Sequence, residues 1–470
     1  MSEVMEDGAF AKSGSVPGTG PIKLHMVSLG CDKNLVDSEN MLGILTARGY
    51  ELTDDEQEAE VAVINTCCFI EDAKKESIDR IFDLVRLKET ANLKVLVVAG
   101  CMAERYTDEL MEEIPEIDAF IGTTGIASIA QAVEDTLAGK KAVARSDIST
   151  DPLLNPAQRI VTTGGHYAFL KIAEGCDKNC TYCAIPRFRG HYRSFPMERL
   201  TEEARILAGR GVRELILVAQ ETTLYGKDLY GEKSLHRLLR ELCRIDTLRW
   251  IRVLYCYPEE IYPELIEVMA EEEKICHYLD LPIQHAADSV LRRMNRRTTE
   301  ADLRQLIGSL RERIPDIALR TTLITGFPGE TDEEHACVMN FISEMKFDRL
   351  GVFRYSREED TPAAAMKGQV KQAVKKKRFA ELMTRQQGIS LQKNKDRIGS
   401  LMDVFVEGSI PEDGVYVGRS YRDAPSVDGF VFFSSPREFM SGDFVRVRIT
   451  SASEYDLHGE LYEAEETFSD

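Results

Sequence analysis

The stretch YAFLKIAEGCDKNCTYC, residues 167–183, joins an apolar run directly to three cysteines in one short loop. The run is a strand candidate, and the glycine after it favours a sharp turn. The cysteines follow with CxxxCxxC spacing, as Cys176, Cys180 and Cys183. The pentapeptide GCDKN also occurs at residues 30–34, where it contains a single cysteine. The first copy must therefore find other partners if its thiol belongs to a similar site.

Length and composition limit what this chain can be. Its 470 residues, 43% of them hydrophobic, suffice for about two to four domains. No apolar run is long enough to cross a membrane, and the acidic N-terminus lacks the features of a signal peptide. We therefore expect a soluble cytoplasmic protein with no membrane partner. In a reducing cytosol its 11 cysteines would remain thiols, which favours ligation or catalysis over disulfides.

The composition changes along the chain predict an α/β protein in five segments. Residues 1–22, rich in Gly, Ser and Pro, are predicted to be a disordered leader, and residues 146–163 a linker. Residues 23–145 alternate short apolar runs with helical stretches, as parallel βαβ units do. Residues 164–398 contain six further strand and helix repeats, which predict a partial (βα)6 barrel of the TIM type. Residues 399–466 carry the short alternating runs of a small antiparallel β-barrel.

Three predicted strands of the N-terminal domain each have a cysteine just past their carboxyl end. These are Cys31, Cys67 and Cys101, here called the strand-end site. In open parallel sheets this edge is where ligands bind, so the three thiols are predicted to meet in one crevice. A single free cysteine is often a small buried hydrophobe, but three at equivalent positions argue against coincidence. Cys68 directly follows Cys67, and because consecutive strand residues point opposite ways, we assign Cys67 to the site.

The cysteines Cys176, Cys180 and Cys183, here called the loop site, suit an iron–sulfur cluster better than structural zinc. Structural zinc usually takes four ligands in two close pairs, and no fourth ligand stands near this loop. Three thiolates would leave one iron of a [4Fe–4S] cluster open to a cofactor or substrate. Zinc is retained as the weaker alternative.

The loop site opens a βα barrel and has Tyr182 before its last cysteine, and in this it resembles the radical S-adenosylmethionine (SAM) superfamily. From Lys23 onward the whole chain resembles the methylthiotransferases of that superfamily, and its C-terminal barrel is similar to a TRAM domain. The MiaB branch of the family modifies an adenosine in transfer RNA, whereas the RimO branch modifies an aspartate of ribosomal protein S twelve. Phe195 departs from the family, which often has arginine there, and its role is left open. The resemblance is to the RimO branch, through GCDKNLVDSE, GCDKNCTYCAIP, QETTLYG, YCYP, YLDLPIQHAADSVLRRMNR, RTTLITGFPGET and VGRSYRDAPSVDGFV.

The resemblance implies a radical SAM methylthiotransferase with two [4Fe–4S] clusters. It implies that the loop site generates a 5′-deoxyadenosyl radical from SAM, which removes hydrogen from the β-carbon of the aspartate. It also implies that the strand-end site delivers a sulfur already methylated by a second SAM. The implied partners are an electron donor and ribosomal protein S twelve, either free or within the ribosome.

Five further residues are assigned to cofactor binding, and no catalytic residue is identified. Gln220, Glu221 and Gln284 lie at predicted strand ends, where they would bond the ribose or methionine groups of SAM or simply cap loops. Gly326, in the segment GFPGE, would bring the chain close to the cofactor or form an ordinary tight turn. Tyr182 completes the set.

Several other features receive structural assignments. His285 is interpreted as a buried histidine with satisfied hydrogen bonds, and Asp428-Gly429 as a hairpin turn. The basic run 375–378 is predicted to be a solvated helix face, with ribosomal RNA contact as the alternative. The remaining cysteines are taken as structural: Cys243, Cys256, Cys276 and Cys337.

Charge favours a basic protein partner over nucleic acid. The formal net charge is −20, the wrong sign for a protein that neutralises many phosphates. Residues 400–464 contain twelve acidic and five basic side chains, which argues against transfer RNA and for a basic ribosomal protein. A MiaB-type enzyme and a non-enzymatic iron–sulfur or zinc scaffold remain the alternatives. Electron carriers usually have four-cysteine coordination and need no six-repeat barrel, which disfavours the scaffold.

Overall fold

The structure is a computed structural model that describes residues 20–150 and 154–463. The predicted leader lies outside these residues except for its last three positions. The described chain forms two compact units. The first contains residues 20–68, 72–150 and 154–160, and the second contains residues 69–71 and 161–463. Of the described helices, none is both long and apolar enough to span a membrane.

The N-terminal unit is built on a six-stranded sheet in which every neighbouring pair is parallel. Along this part of the chain the elements are β1 (Lys23–Ser28), α1 (Asp32–Ala47), β2 (Glu51–Leu52), β3 (Val61–Thr66), α2 (Glu71–Thr90), β4 (Val95–Gly100), α3 (Cys101–Arg105), α4 (Thr107–Glu113), β5 (Ala119–Ile121), α5 (Ile129–Leu137) and β6 (Ala142–Ala144). The strand order is β2-β1-β3-β4-β5-β6. Strands β3 and β4 are buried at every residue, which explains their continuous apolar sequence. Strand β2 lies on one side of β1, and strands β3 to β6 lie on the other side. The strand order therefore reverses between β1 and β3, which makes this the topological switch point.

The end of the predicted linker packs on helix α1. A Cβ atom on Gly43 would stand 1.9 Å from the carbonyl oxygen of Gln158, so only glycine permits this approach. Arg159 then forms a buried ion pair with Glu39, with 2.6 Å between Nη2 and Oε2. Residues 154–160 are therefore part of the N-terminal unit.

The second unit begins with the predicted partial barrel. Its elements are β7 (Tyr167–Lys171), β8 (Ala173–Glu174), α6 (Pro186–Arg189), β9 (Arg193–Ser194), α7 (Met197–Gly209), β10 (Glu214–Val218), α8 (Lys227–Tyr230), α9 (Leu235–Cys243), β11 (Trp250–Val253), α10 (Pro263–Glu271), β12 (Ile275–Asp280), α11 (Asp288–Arg293), α12 (Glu300–Arg313), β13 (Ala318–Thr325), α13 (Asp332–Met345), β14 (Arg349–Arg354), α14 (Pro362–Ala365) and α15 (Gln372–Lys395). The six-stranded sheet has the order β7-β10-β11-β12-β13-β14, all parallel, with β7 and β14 at its edges. The six predicted strands are confirmed, and their carboxyl ends all face one side, where such barrels bind ligands.

The C-terminal segment forms the predicted small barrel. Its strands are β15 (Leu401–Ile410), β16 (Val415–Arg419), β17 (Val431–Ser434), β18 (Phe444–Ala452) and β19 (Leu457–Leu461), closed in the order β15-β16-β17-β19-β18. Neighbouring strands are antiparallel except for β17 and β19, which are parallel. Alternate residues of β15 and β18, such as Val404 and Val447, fill its apolar interior.

The prediction of a hairpin at Asp428-Gly429 is wrong. Residues 420–430 form a long connection between β16 and β17, and the side chain of Asp428 is buried. Its carboxylate accepts hydrogen bonds from the Tyr278 hydroxyl at 2.7 Å and from the Ala424 amide at 2.9 Å. The connection therefore packs on the amino-terminal side of the parallel sheet, where Arg252 also donates to the Tyr421 carbonyl at 2.6 Å.

Candidate functional site

The three cysteines of the strand-end site follow adjacent strands of the N-terminal sheet. Cys31 comes after β1 and caps α1, Cys67 directly follows β3, and Cys101 opens α3 after β4. Because the sheet order is β1-β3-β4, these positions share one edge at the switch point. The structure thus places the three predicted cysteines at neighbouring strand ends.

Glycines allow the backbone to approach closely within this site. Gly30 has a φ of +93°, and a Cβ there would stand 2.7 Å from Cys67 Cβ and 3.2 Å from Cys67 Sγ. Gly100 has a φ of +88°, and its Cβ would stand 2.1 Å from the side-chain oxygen of Asn65. Both positions combine a left-handed backbone with a lack of space, so each requires glycine.

The side chain of Asn34 joins all three strand ends. Its amide nitrogen donates to the carbonyls of Leu29 and Thr66, both at 3.0 Å. Its oxygen lies 3.8 Å from the Sγ of Cys101, which donates to it. The Asn34 carbonyl in turn accepts from the Asn65 amide at 2.8 Å. The polar tail of GCDKN therefore fixes the thiol positions rather than facing solvent.

The geometry favours Cys67 over Cys68 as the member of this site. Cys67 stands beside Gly30, and its backbone amide and carbonyl both bond the Ser77 hydroxyl, at 3.1 and 2.9 Å. Cys68 is fully buried. The assignment of the thiols as cluster ligands remains a prediction.

The loop site follows β7 and β8 at the carboxyl side of the barrel sheet. Gly175, with a φ of +78°, has no room for a Cβ, which would stand 2.1 Å from the His191 carbonyl oxygen. Burial raises the pKa of the Cys176 thiol to about 12, and burial raises that of Cys183 still further. Glu221 also raises the pKa of Cys176, and electrostatic interaction with Cys180 raises the pKa of both thiols, so the three cysteines lie close enough to influence one another. Three thiolates would be stable here only with compensating positive charge, which metal ions supply.

Among the described residues, no three side chains of His, Cys, Asp and Glu lie close enough together to hold a metal ion.

Tyr257 contacts the loop site, a contact that the sequence does not predict although the residue lies in the motif YCYP. Its hydroxyl lies 2.8 Å from Cys180 Sγ. The guanidinium of Arg296 lies 3.8 Å from the Tyr257 ring centroid, and the ammonium of Lys178 lies 4.7 Å from it. Arg296 is itself held by Glu259 through two hydrogen bonds of 2.9 Å. Burial raises the pKa of the Tyr257 hydroxyl, which keeps it protonated.

Glu221 and Gln220, both predicted to bind cofactor, each carry one oxygen beside the loop site that has no hydrogen-bond partner among the described residues. Glu221 is fully buried; its Oε1 accepts from Thr223, and its Oε2 is the oxygen without a partner. The Lys178 ammonium is 4.0 Å from that Oε2, beyond hydrogen-bond distance. Burial raises the pKa of Glu221 to about 7. Gln220 donates to Glu174 at 2.5 Å, and its Oε1 is the second such oxygen. Both oxygens fit a ligand that brings ammonium or hydroxyl donors.

The other three cofactor predictions have different surroundings. Tyr182 is half-buried and packs against a small apolar cluster that includes Met294. Gln284 has a φ of +68°, held by backbone hydrogen bonds on both sides, which is uncommon outside glycine. A Cβ on Gly326 would stand 2.4 Å from the Cγ of Lys375, so glycine is needed there for a protein contact. None of these three observations tests cofactor binding.

His285 is buried, and one of its ring nitrogens has a hydrogen-bond partner. It is 2% exposed, and its Nδ1 accepts a hydrogen bond from the Ala287 amide at 3.0 Å. Burial lowers its pKa to about 3, so the imidazole is neutral.

The prediction that residues 375–378 form a solvated face is wrong for two of them. Lys375 is buried and donates to the Tyr355 carbonyl at 2.6 Å. Arg378 is also buried and bonds the carbonyl of Glu330 at 3.1 Å. The two lysines between them are exposed. The Lys375 and Arg378 side chains therefore hold α15 against the barrel.

Phe195, the departure from the family pattern, is part of the barrel core. Its ring is buried, and its carbonyl accepts from the Tyr225 hydroxyl at 2.9 Å. The guanidinium of Arg199 lies 4.8 Å from the ring centroid. These contacts give Phe195 a packing role.

A partial parallel barrel with a three-cysteine loop after its first strand defines the chain as a radical SAM protein. Residues 170–342 match the Radical SAM superfamily, residues 23–122 the Uncharacterized protein family UPF0004, and residues 398–461 the TRAM domain. The chain is 55% identical over 438 residues to the "Ribosomal protein uS12 methylthiotransferase RimO" of Lachnoclostridium phytofermentans. This match covers 93% of the present chain and 99% of the relative. It is 48% identical over 447 residues to the protein of the same name from Acetivibrio thermocellus, with 93% and 98% covered. The chain belongs to the RimO family of ribosomal protein uS12 methylthiotransferases, and it is a transferase.

A solved structure supports the fold independently. The radical S-adenosylmethionine methyltransferase TsrM from Kitasatospora setae superposes with a TM-score of 0.54 at 15% identity, covering 85% of this chain and 77% of that one. At this identity the likeness shows the fold alone.

Proposed function

We propose that this enzyme adds a methylthio group to the β-carbon of an aspartate in ribosomal protein uS12. The observation that carries the proposal is the 55% identity over 99% of a uS12 methylthiotransferase. The strand-end site lies within residues 23–122, which match the Uncharacterized protein family UPF0004, and the loop site lies within residues 170–342, which match the Radical SAM superfamily. The RimO branch predicted from the sequence motifs is therefore favoured over the MiaB branch.

We assign cofactor binding to the loop site. The thiolates of Cys176, Cys180 and Cys183 would hold a [4Fe–4S] cluster with one open iron. That cluster would supply the electron for cleavage of a carbon–sulfur bond of SAM, which gives methionine and the 5′-deoxyadenosyl radical. The side-chain oxygens of Gln220 and Glu221 that lack a partner among the described residues would accept hydrogen bonds from SAM and orient it. Burial of Cys180 and Glu221 would limit the access of water to a reactive radical.

The strand-end site would hold the second [4Fe–4S] cluster, which would supply the sulfur. Cys67 and Cys101 are buried, and Cys31 is half-buried. Asn34 bonds the carbonyls at the ends of two strands and lies beside Cys101, and Gly30 and Gly100 allow the backbone to approach closely around the thiols. The chain's own contribution would be a set of three soft thiolate ligands at one edge of the sheet.

Charge supports the choice of partner. The C-terminal barrel is acidic, which suits a basic ribosomal protein and opposes binding to transfer RNA. We therefore propose uS12, free or within the ribosome, as the substrate, with activity in the cytoplasm beside an electron donor.

The test is anaerobic incubation of the iron-loaded enzyme with uS12, SAM and dithionite, followed by mass spectrometry of uS12 peptides. We expect a methylthio group on one aspartate and 5′-deoxyadenosine in the supernatant. Transfer RNA added at physiological salt should not compete. Modification of a transfer RNA adenosine, with uS12 untouched, would contradict the proposal.

A further inference from the structure

Tyr257 contacts the loop site, but neither cluster ligation nor SAM binding requires this contact. The phenol hydroxyl lies 2.8 Å from Cys180 Sγ, within the distance of a direct hydrogen bond to sulfur. When Cys180 is a free thiol, either group could donate. A cysteine that ligates iron has lost its proton, so the Tyr257 hydroxyl must then be the donor.

We propose that Tyr257 is a positioning residue that donates a hydrogen bond to the ligated Cys180 sulfur and thereby raises the reduction potential of the loop-site cluster. This inference rests on the proposed function, because it assumes a cluster at Cys180. Reduction adds negative charge that is partly carried by the ligand sulfurs, so a donor to sulfur stabilises the reduced form more than the oxidised form.

The surroundings of the ring hold the donor in place. Arg296 lies over one part of the Tyr257 ring at 3.8 Å from its centroid, and Lys178 approaches it at 4.7 Å. Arg296 is 4% exposed and has its guanidinium fixed by two hydrogen bonds from Nε and Nη2 to Glu259. A cation over a phenol ring also draws electron density from the hydroxyl, which strengthens it as a donor. The three side chains therefore act together on one sulfur.

The direct test is the substitution Tyr257→Phe, which removes the hydroxyl and keeps the ring that Arg296 and Lys178 contact. The measurement is a redox titration followed by electron paramagnetic resonance, on the full-length chain with Cys31, Cys67 and Cys101 replaced by alanine. Only the loop-site cluster then contributes to the signal. We expect a lower potential, so that at a fixed ambient potential the ratio of reduced to oxidised cluster falls about fivefold. Iron and sulfide contents should not change, because all three loop-site cysteines remain.

The matched control is Tyr262→Phe, the same substitution five residues further along. Among the described residues, the Tyr262 hydroxyl bonds the backbone amide of His236 at 3.2 Å and its Nδ1 at 3.1 Å, and no cysteine. Its removal should leave the potential of the cluster unchanged. If both tyrosine variants shift the potential equally, the effect does not come from the Cys180 hydrogen bond and the inference is overturned.

A second variant covers the case in which Tyr257→Phe fails to retain its cluster. Arg296→Gln keeps the hydroxyl but removes the nearer of the two cations over the ring, and we expect a shift in the same direction. An unchanged potential in whichever variant retains iron would overturn the inference while leaving the proposed function intact. Absence of any cluster from the unaltered chain would instead overturn the proposed function.

Discussion

The two copies of GCDKN adopt different structures in the two units. In the first copy Asp32 begins α1, and Lys33 and Asn34 are buried. In the second copy the residues after Gly175 form an irregular loop, and Asp177 and Asn179 are exposed. Five identical residues therefore do not determine their own conformation or burial. The next residues along the chain determine both, because LVDSEN continues as a helix whereas CTYC provides further thiols.

The difference separates two ways of assembling three thiols. The loop site takes all its cysteines from eight consecutive residues, so a short irregular segment suffices. The strand-end site takes its cysteines from positions spread over 31–101, and depends on the order β1-β3-β4 to bring them together. We expect the first arrangement to tolerate local changes in the sheet and the second to be sensitive to them.

The largest expected effect is the loss of reaction products when the cysteines of either the strand-end site or the loop site are replaced. With Cys31, Cys67 and Cys101 replaced by alanine, methylthiolated uS12 should disappear while 5′-deoxyadenosine is still formed, because the loop site is intact. The reciprocal variant Cys180→Ala should abolish both products. Mass spectrometry and chromatography measure the two together. Methylthiolation that survives loss of the strand-end cysteines would refute separate roles for the two sites.

A smaller effect should separate the two asparagines of the repeated pentapeptide. Asn34→Ala removes a buried amide that bonds two carbonyls at 3.0 Å, and we expect a cost of about 2 kcal/mol in unfolding free energy. Iron bound at the strand-end site should fall as well. Asn179→Ala, the matched control at an exposed position, should cost less than about 0.5 kcal/mol. Denaturant unfolding and iron analysis of both variants give the comparison, and equal costs would show that burial does not distinguish the copies.

Sequence patterns were sufficient where the deciding interactions are local or periodic. The apolar runs identified all six strands of the barrel sheet, and CxxxCxxC identified the loop site. The three-residue strands β5 and β6 were not predicted, since so short a run has no measurable period.

Long-range contacts account for the errors. Asp428-Gly429 has hairpin composition, but Tyr278 lies 150 positions away in sequence and bonds the Asp428 carboxylate. Lys375 belongs to a basic run that is typical of a solvated face, yet the lack of a side chain at Gly326 lets it pack inward. Tyr257 is 77 positions from Cys180, and no local pattern links them. Contacts between side chains that lie far apart in the sequence cannot be predicted from the local spacing of residues.

The smallest expected effect is a pH dependence of SAM affinity at the loop site. We expect it there because Glu221, a buried carboxylate, lies beside that site. Burial raises the pKa of Glu221 to about 7, so in the ligand-free enzyme this group is largely protonated below that pH. Its ionised form accepts a hydrogen bond from the amino group of SAM more strongly than its protonated form does. Affinity should therefore rise roughly tenfold as pH increases from about 5.5 to about 7, and then level off. The same shift makes the folded state of the ligand-free enzyme less stable as pH rises from about 4.5 to about 7, because the unfolded chain releases this proton first.

The measurement is equilibrium SAM binding to the oxidised full-length enzyme in the triple-alanine background, where the loop site alone remains. Glu221→Gln removes the titrating group and should give a weaker affinity that no longer changes with pH over this range. Because the cluster stays oxidised, no turnover complicates the titration. An unaltered pH dependence in the glutamine variant would mean that another group controls SAM binding, and the buried carboxylate would then no longer distinguish the loop site from the strand-end site.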